Sequence, residues 1–175
     1  LLRRVYFLQE LGVSDLMQLN VPLRASLYEA FARGRLPFWT DRIFGGWPQI
    51  AELQIGAYFP PFWLGPWSDP AWATSLSVAL LMLIAGLSTY RLARTLGLAP
   101  FPALVAGASW PLSGQWLSHV VHPNLLGAVA LAPLAFAYVE ESKRRGRAAR
   151  LIWLAPVMAL SFFAGHPHMF YLSAL

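Results

Sequence analysis

From Pro70 to Tyr90 the chain carries no charged side chain and no histidine. With flanks out to Arg94, this run reaches the roughly 20 residues an α-helix needs to cross a bilayer. Its centre, Leu76 to Tyr90, is almost purely apolar. In hydrocarbon every backbone polar group must be paired within the chain, which helices and closed barrels alone achieve. The rest of the sequence fits a bilayer as solvent: 57% of the 175 residues are hydrophobic and only 12% are charged. That is about half the charge of an ordinary soluble domain. The expected fold is an all-α polytopic membrane protein. With no cysteine, the chain has neither a disulfide framework nor a thiolate metal site.

Four spans are expected, at about 71–94, 101–118, 123–140 and 151–166. The second is weakened by Pro111, Ser113, Gly114 and Gln115, the third contains Pro133 and the fourth Pro156. Membrane helices tolerate such prolines where neighbours satisfy the freed carbonyls. The last three are short, so tilted or irregular ends are expected. Residues 1–70 then form a loop outside the membrane and 71–175 the membrane domain. The chain begins at Leu1 and ends at Leu175 within an apolar run, which reads as a fragment of a longer protein. No signal-peptide pattern follows Arg3 and Arg4.

Charge placement orients the spans. The turns 91–100 and 140–150 hold seven basic residues against Glu140 and Glu141, a net of +5, which equals the net charge of the whole chain. Residues 1–70 hold six arginines against six acids. Basic turns stay cytoplasmic. The N-terminal loop, the turn 118–124 and the segment 165–171 are therefore extracytoplasmic. The basic runs lack interleaved aromatics, and nucleic acid is not an expected partner.

The loop has two parts. Asn20 to Ala32 reads as a short helix: Asn20 can cap it, Pro22 sits in the first turn, and Gly34 can end it. Leu23, Leu27 and Phe31 form its apolar face, with Arg24, Glu29 and Arg33 off that face; such a helix suits the membrane interface. The stretch Gly34 to Trp67 is too broken by Gly and Pro to span and too aromatic to be a solvated linker. It reads as an ordered loop packed on the membrane domain, and loops of that kind carry function. The bland alternative is an interfacial aromatic belt.

All four histidines fall on the expected outer side, with Asp15 and Asp41. Asp15 can serve as a general base, bind a divalent cation or, more often for a lone aspartate there, cap the next turn. Asp41 beside Arg42 reads as a local ion pair of little energetic weight. His119 and His122 would share a face on a helix. His166 and His168 flank Pro167 and mark the end of a span. The spacing of these histidines is not a strong metal signature. Nucleotide-binding loops and the α/β-hydrolase nucleophile pattern are absent from the sequence.

Several motifs carry a resemblance: S-D-L-M-Q-L-N-V-P-L-R, then G-R-L-P-F-W-T-D-R-I-F-G-G-W-P-Q-I-A-E-L-Q-I-G-A-Y-F-P-P, then P-L-S-G-Q-W-L-S-H-V-V-H-P-N, then A-G-H-P-H-M-F-Y. In this order they resemble the YfhO-type bacterial membrane protein family, which is similar to the GT-C class of polytopic glycosyltransferases. The resemblance implies a GT-C-like helix bundle in the bacterial inner (cytoplasmic) membrane. It implies transfer of a sugar from a polyprenyl-phosphate carrier to an extracytoplasmic envelope glycan or protein acceptor. Asp15 matches the early acidic residue that is catalytic or metal-associated in that class, so a divalent metal ion at Asp15 is an expectation. Asp41, Arg42, Gln54, His119, His122, His166 and His168 become candidate substrate contacts. Where the family often has W-N-P, this chain has Trp39-Thr40-Asp41. Two rival readings are a transporter or flippase of lipid-linked substrates and a non-catalytic membrane assembly subunit.

Overall fold

The computed structural model describes residues 15–41, 45–65, 69–146 and 148–174. Among the described residues the fold is helical, with no β-structure beyond one antiparallel bridge between Thr40 and Trp47. Arg42 and the first fourteen residues lie outside the described residues.

A π-helical turn, Leu16–Asn20, runs straight into α1, Val21–Ala32. Pro22 stands in the first turn of α1, and Gly34 follows its end. Asn20 does not cap. The helical rise begins before it, so its backbone is already helical at φ −68° and ψ −45°, and its side chain makes no capping bond. Its amide donates instead to the carbonyls of Asp15 at 3.2 Å and Val121 at 3.4 Å. Leu27 is fully buried against Tyr28, Ile55, Ala57 and Ala73, with Leu23 and Phe31 packed at the edge. Burying Leu27 or Ile55 contributes about 1.5–3 kcal/mol each. Arg24 departs from the expectation: it is not off the buried face but wholly inside.

The central helix α2, Pro70–Thr95, starts where Asp69 Oδ1 accepts the Trp72 N–H at 2.9 Å. Thr74, Ser75 and Ser77 return their hydroxyl protons to carbonyls four residues back. That local pairing lets an apolar helix bury hydroxyls without an unmet donor. α3, Pro100–Ser109, packs along α2. A short α4, Gly114–Ser118, precedes α5, Pro123–Ala130, and α6, Ala132–Arg145. A 3₁₀ segment, Ala148–Trp153, leads into α7, Leu154–Phe163, and α8 is Pro167–Ala174.

Among the described residues two helices are long and apolar enough to cross a membrane: Pro70–Thr95, and the continuous stretch Pro123–Arg144 that joins α5 to α6. The expected spans at 101–118 and 151–166 are each divided. Pro111 has no N–H to continue α3, so the chain turns and restarts at Gly114. Pro156 sits in the first turn of α7, where its missing donor is harmless. The preceding residues wind as 3₁₀ instead.

The principal core joins the aromatic block to the long helices. Phe59 and Phe62 pack with Leu81 of α2, Trp116 of α4 and Leu126 of α5. The basic segments meet at the other end of α2 and α6. There Arg91 Nη2 donates to Glu141 at 3.2 Å, the Arg91 guanidinium carbon lies 4.5 Å from the centre of the Tyr138 ring, and Arg150 reaches Glu141 at 3.8 Å.

Candidate functional site

The site is built from α1, the 47–56 loop, the α4–α5 turn and the α7–α8 turn. Asp15 opens the helical rise that becomes α1, and its side chain makes no cap there. Its Oδ2 instead meets His122 Nε2 at 2.9 Å. The His122 Nδ1 meets His119 Nδ1 at 3.4 Å. A carboxylate only accepts, so His122 donates through Nε2; with neutral rings, His119 must then donate through Nδ1. His119 ends α4 and His122 precedes α5, so they share a turn and not a helix face. Their rings still lie 5.4 Å apart. The Asp15 side chain is 64% exposed and that of His122 is 36% exposed, so the pair is open to an incoming molecule.

His166 and His168 flank the start of α8, with ring centres 6.5 Å apart. His166 Nδ1 accepts the Met169 N–H at 3.3 Å. That bond requires an unprotonated Nδ1, and burial, against an opposing backbone hydrogen bond, lowers the His166 pKa below its ordinary value. Asn124, two residues after His122, donates to the carbonyl of Gln54, which lines a cleft with His166 and His168. Gly165 makes this turn possible. Its φ is +94°, and an added Cβ would lie 2.3 Å from the Leu53 carbonyl.

Beneath the mouth lies Arg24. It donates to the Ile55 carbonyl, to the Gln54 carbonyl at 3.4 Å and to Asn124 Oδ1 at 2.6 Å, and it stacks 3.6 Å from the Phe62 ring centre. Asn124 Nδ2 donates to the same Gln54 carbonyl at 2.9 Å. Desolvation pulls Arg24 down to about 9, so it stays charged at neutral pH. Burial also raises the Tyr28 hydroxyl. Arg24 therefore fastens the 54–55 backbone to α1 and α5.

Between that loop and the α7–α8 turn is an open cleft of about 480 Å³, lined among others by Trp47, Glu52, Gln54, His166 and His168. Glu52 accepts from Trp47 Nε1 at 3.2 Å and from Gln54 Nε2 at 2.9 Å. A second, apolar groove of about 690 Å³ runs between α2 and α3, past Leu83, Leu87, Phe101 and Leu104.

Of the residues expected from sequence, Asp15, His119 and His122 form one chain of contacts. Gln54, His166 and His168 line the adjoining cleft. Asp41 is exposed beside the Thr40–Trp47 bridge, and no contact joins it to the histidines among the described residues. Glu52, Arg24 and Asn124 were not singled out by sequence. The available signals were an acidic residue two before Gln54, and an arginine one step from the apolar stripe of α1. Among the described residues no group of three or more His, Cys, Asp or Glu is gathered as a metal site. Asp15 and His122 spend their facing atoms on each other. Comparisons with family models, curated proteins and solved structures gave no significant match.

Proposed function

We propose that this chain is an integral-membrane sugar transferase of the bacterial inner membrane, using a polyprenyl-phosphate-linked donor on the outer face. The observation that carries the reading is the exposed Asp15 carboxylate, oriented by His122 at 2.9 Å. A held but accessible carboxylate suits a general base. In the transfer, the acceptor hydroxyl oxygen attacks the anomeric carbon of the donor. The bond from that carbon to the phosphate oxygen breaks, and polyprenyl phosphate leaves with the electron pair. The hydroxyl proton passes to Asp15, and the configuration inverts. One carboxylate suffices because phosphate is already a good leaving group.

The resemblance to the YfhO-type family supports the same chemistry, as does the aromatic block packed over two helices of spanning length. A divalent ion at Asp15 would need further ligands from the donor's phosphate, so no step is routed through one. Transport of a lipid-linked substrate accounts for the interrupted helices. The polar groups gather at one mouth, however, not midway along the long helices. The test is transfer of radiolabelled sugar from a polyprenyl-phosphate donor in membranes carrying the wild type or Asp15→Asn. Loss of the general base should slow turnover ~10²–10⁴-fold. Undiminished turnover at equal expression would refute the assignment, and movement of substrate with no new glycosidic bond would favour transport.

A further inference from the structure

The cleft beside the Asp15–His122 pair has a chemistry of its own. Its volume of about 480 Å³ lies within the roughly 300–1,000 Å³ of small-molecule sites. On one wall Glu52 is fixed at both oxygens, by Trp47 and by Gln54. A carboxylate oxygen offers more than one lone-pair direction, so each still has acceptor capacity. Trp47 keeps 37% of its surface exposed at the cleft. On the other wall His166 accepts a backbone N–H at Nδ1, which leaves Nε2–H as its donor. Among the described residues that line the cleft there is no lysine or arginine. Among the described residues, the guanidinium of Arg24 holds the 54–55 backbone from behind and is wholly buried.

A phosphate or carboxylate ligand would thus face a fixed carboxylate with no described cation to offset it. A neutral polyol meets the opposite situation. Paired hydroxyls can donate to Glu52, a ring hydroxyl can accept from His166, and the C–H face of a pyranose can lie on an indole. We infer that this cleft binds a neutral pyranose and is the acceptor subsite, with Glu52 as the residue that recognises its hydroxyls. The acceptor assignment rests on the sugar-transfer reading; binding of the neutral ring does not.

The experiment measures binding, independently of turnover. The full chain in nanodiscs is titrated with methyl glucoside and with N-acetylglucosamine, and binding is read by saturation-transfer NMR. Glucuronate and glucose 1-phosphate serve as anionic comparators. Saturable binding of a neutral sugar is expected, at least tenfold tighter than either anion. Glu52→Gln should weaken it at least tenfold, and Asp15→Asn should leave it unchanged while transfer is lost. Ala51→Trp, a bulky addition at an exposed position on the cleft rim, should block binding without removing any of its contacts, and it stands in if Glu52→Gln does not fold. The inference is overturned if the folded wild type binds no neutral sugar saturably, if the anions bind as well, or if Ala51→Trp binds normally. Normal neutral-sugar binding with undiminished Asp15→Asn transfer would instead remove only the base assignment.

Discussion

Arg24 Nη2 donates to Asn124 Oδ1 at 2.6 Å, although the two stand 100 positions apart in the chain. The pair closes a three-way joint, since both side chains also bind the Gln54 carbonyl. Its effect is to seat the loop that carries Glu52 and Gln54 against the turn that carries His122. The buried cation has neutral partners: two carbonyls, an amide and an aromatic face. Charge-assisted bonds and ring contact are its compensation for lost water. The joint therefore links the two halves of the candidate site mechanically.

The first prediction concerns that joint. Asn124→Leu leaves a buried guanidinium without its shortest side-chain acceptor and should cost about 2–3 kcal/mol. Arg24→Met removes the charge together with its desolvation burden. The double variant should accordingly be more stable than the sum of the two losses, by about 1–2 kcal/mol. Thermal or denaturant unfolding in detergent measures all three. Strict additivity would show that the two residues do not act together.

Gly165 gives the second. Alanine there must hold φ near +94° and place Cβ 2.3 Å from the Leu53 carbonyl. Gly146 is a control within the same chain: it also has positive φ, +58°, but nothing lies within 4 Å of an added Cβ. Gly146→Ala should cost only the ~1–2 kcal/mol of a left-handed residue. Gly165→Ala should exceed it clearly and loosen the 47–54 loop. Limited proteolysis of that loop, beside the unfolding midpoints, checks the difference. Equal costs would mean that the close approach to Leu53 does not hold in solution.

The long helices were legible because hydrophobic length is a direct signal, and Pro70–Thr95 begins and ends close to where the apolar run does. The apolar stripe Leu23, Leu27 and Phe31 was legible through its 3.6-residue period. Arg24 was not, because its burial depends on acceptors from positions 54, 55 and 124, which no local pattern reveals. Asn20 misled for a related reason. Cap preference is local, but a helix that starts earlier removes the need for the cap. Asp15 and His122 were each visible as chemistry-bearing residues. Their 2.9 Å contact spans 107 positions and belongs to the tertiary fold. Glu52 stayed hidden because a lone acidic residue in an aromatic loop ordinarily reads as a solvated charge.

A third prediction separates the members of the Asp15–His122–His119 chain. His122→Ala removes the partner that orients the carboxylate and should lower kcat for the proposed sugar transfer by about 10–100-fold. A tenfold change corresponds to about 1.4 kcal/mol of transition-state energy. His119→Ala leaves the 2.9 Å contact in place and removes only the longer 3.4 Å one. Its loss should be smaller, below about tenfold, with KM nearly unchanged. His122→Gln, which keeps a side-chain donor, should recover part of the rate. If His119→Ala is as damaging as His122→Ala, the order of the chain is wrong.

The last prediction is a pH dependence of stability set by His166. Burial favours its neutral ring, and the Met169 N–H bond at Nδ1 requires that form. Its folded pKa therefore lies below the ordinary value of about 6.5 that the unfolded chain retains. In the window between the two, the unfolded state binds the extra proton, so stability rises with pH. The contribution of His166 is fully present above about pH 6.5 and is lost as pH falls through its lowered folded value. Protonation would also set a cation beside His168 and break the bond from His166 to the first turn of α8. Unfolding midpoints recorded from pH 8 down to pH 5 should fall for the wild type. They should fall less for His166→Asn, whose amide oxygen accepts the same N–H without titrating. Parallel curves for the two proteins would show that His166 is not the titrating group.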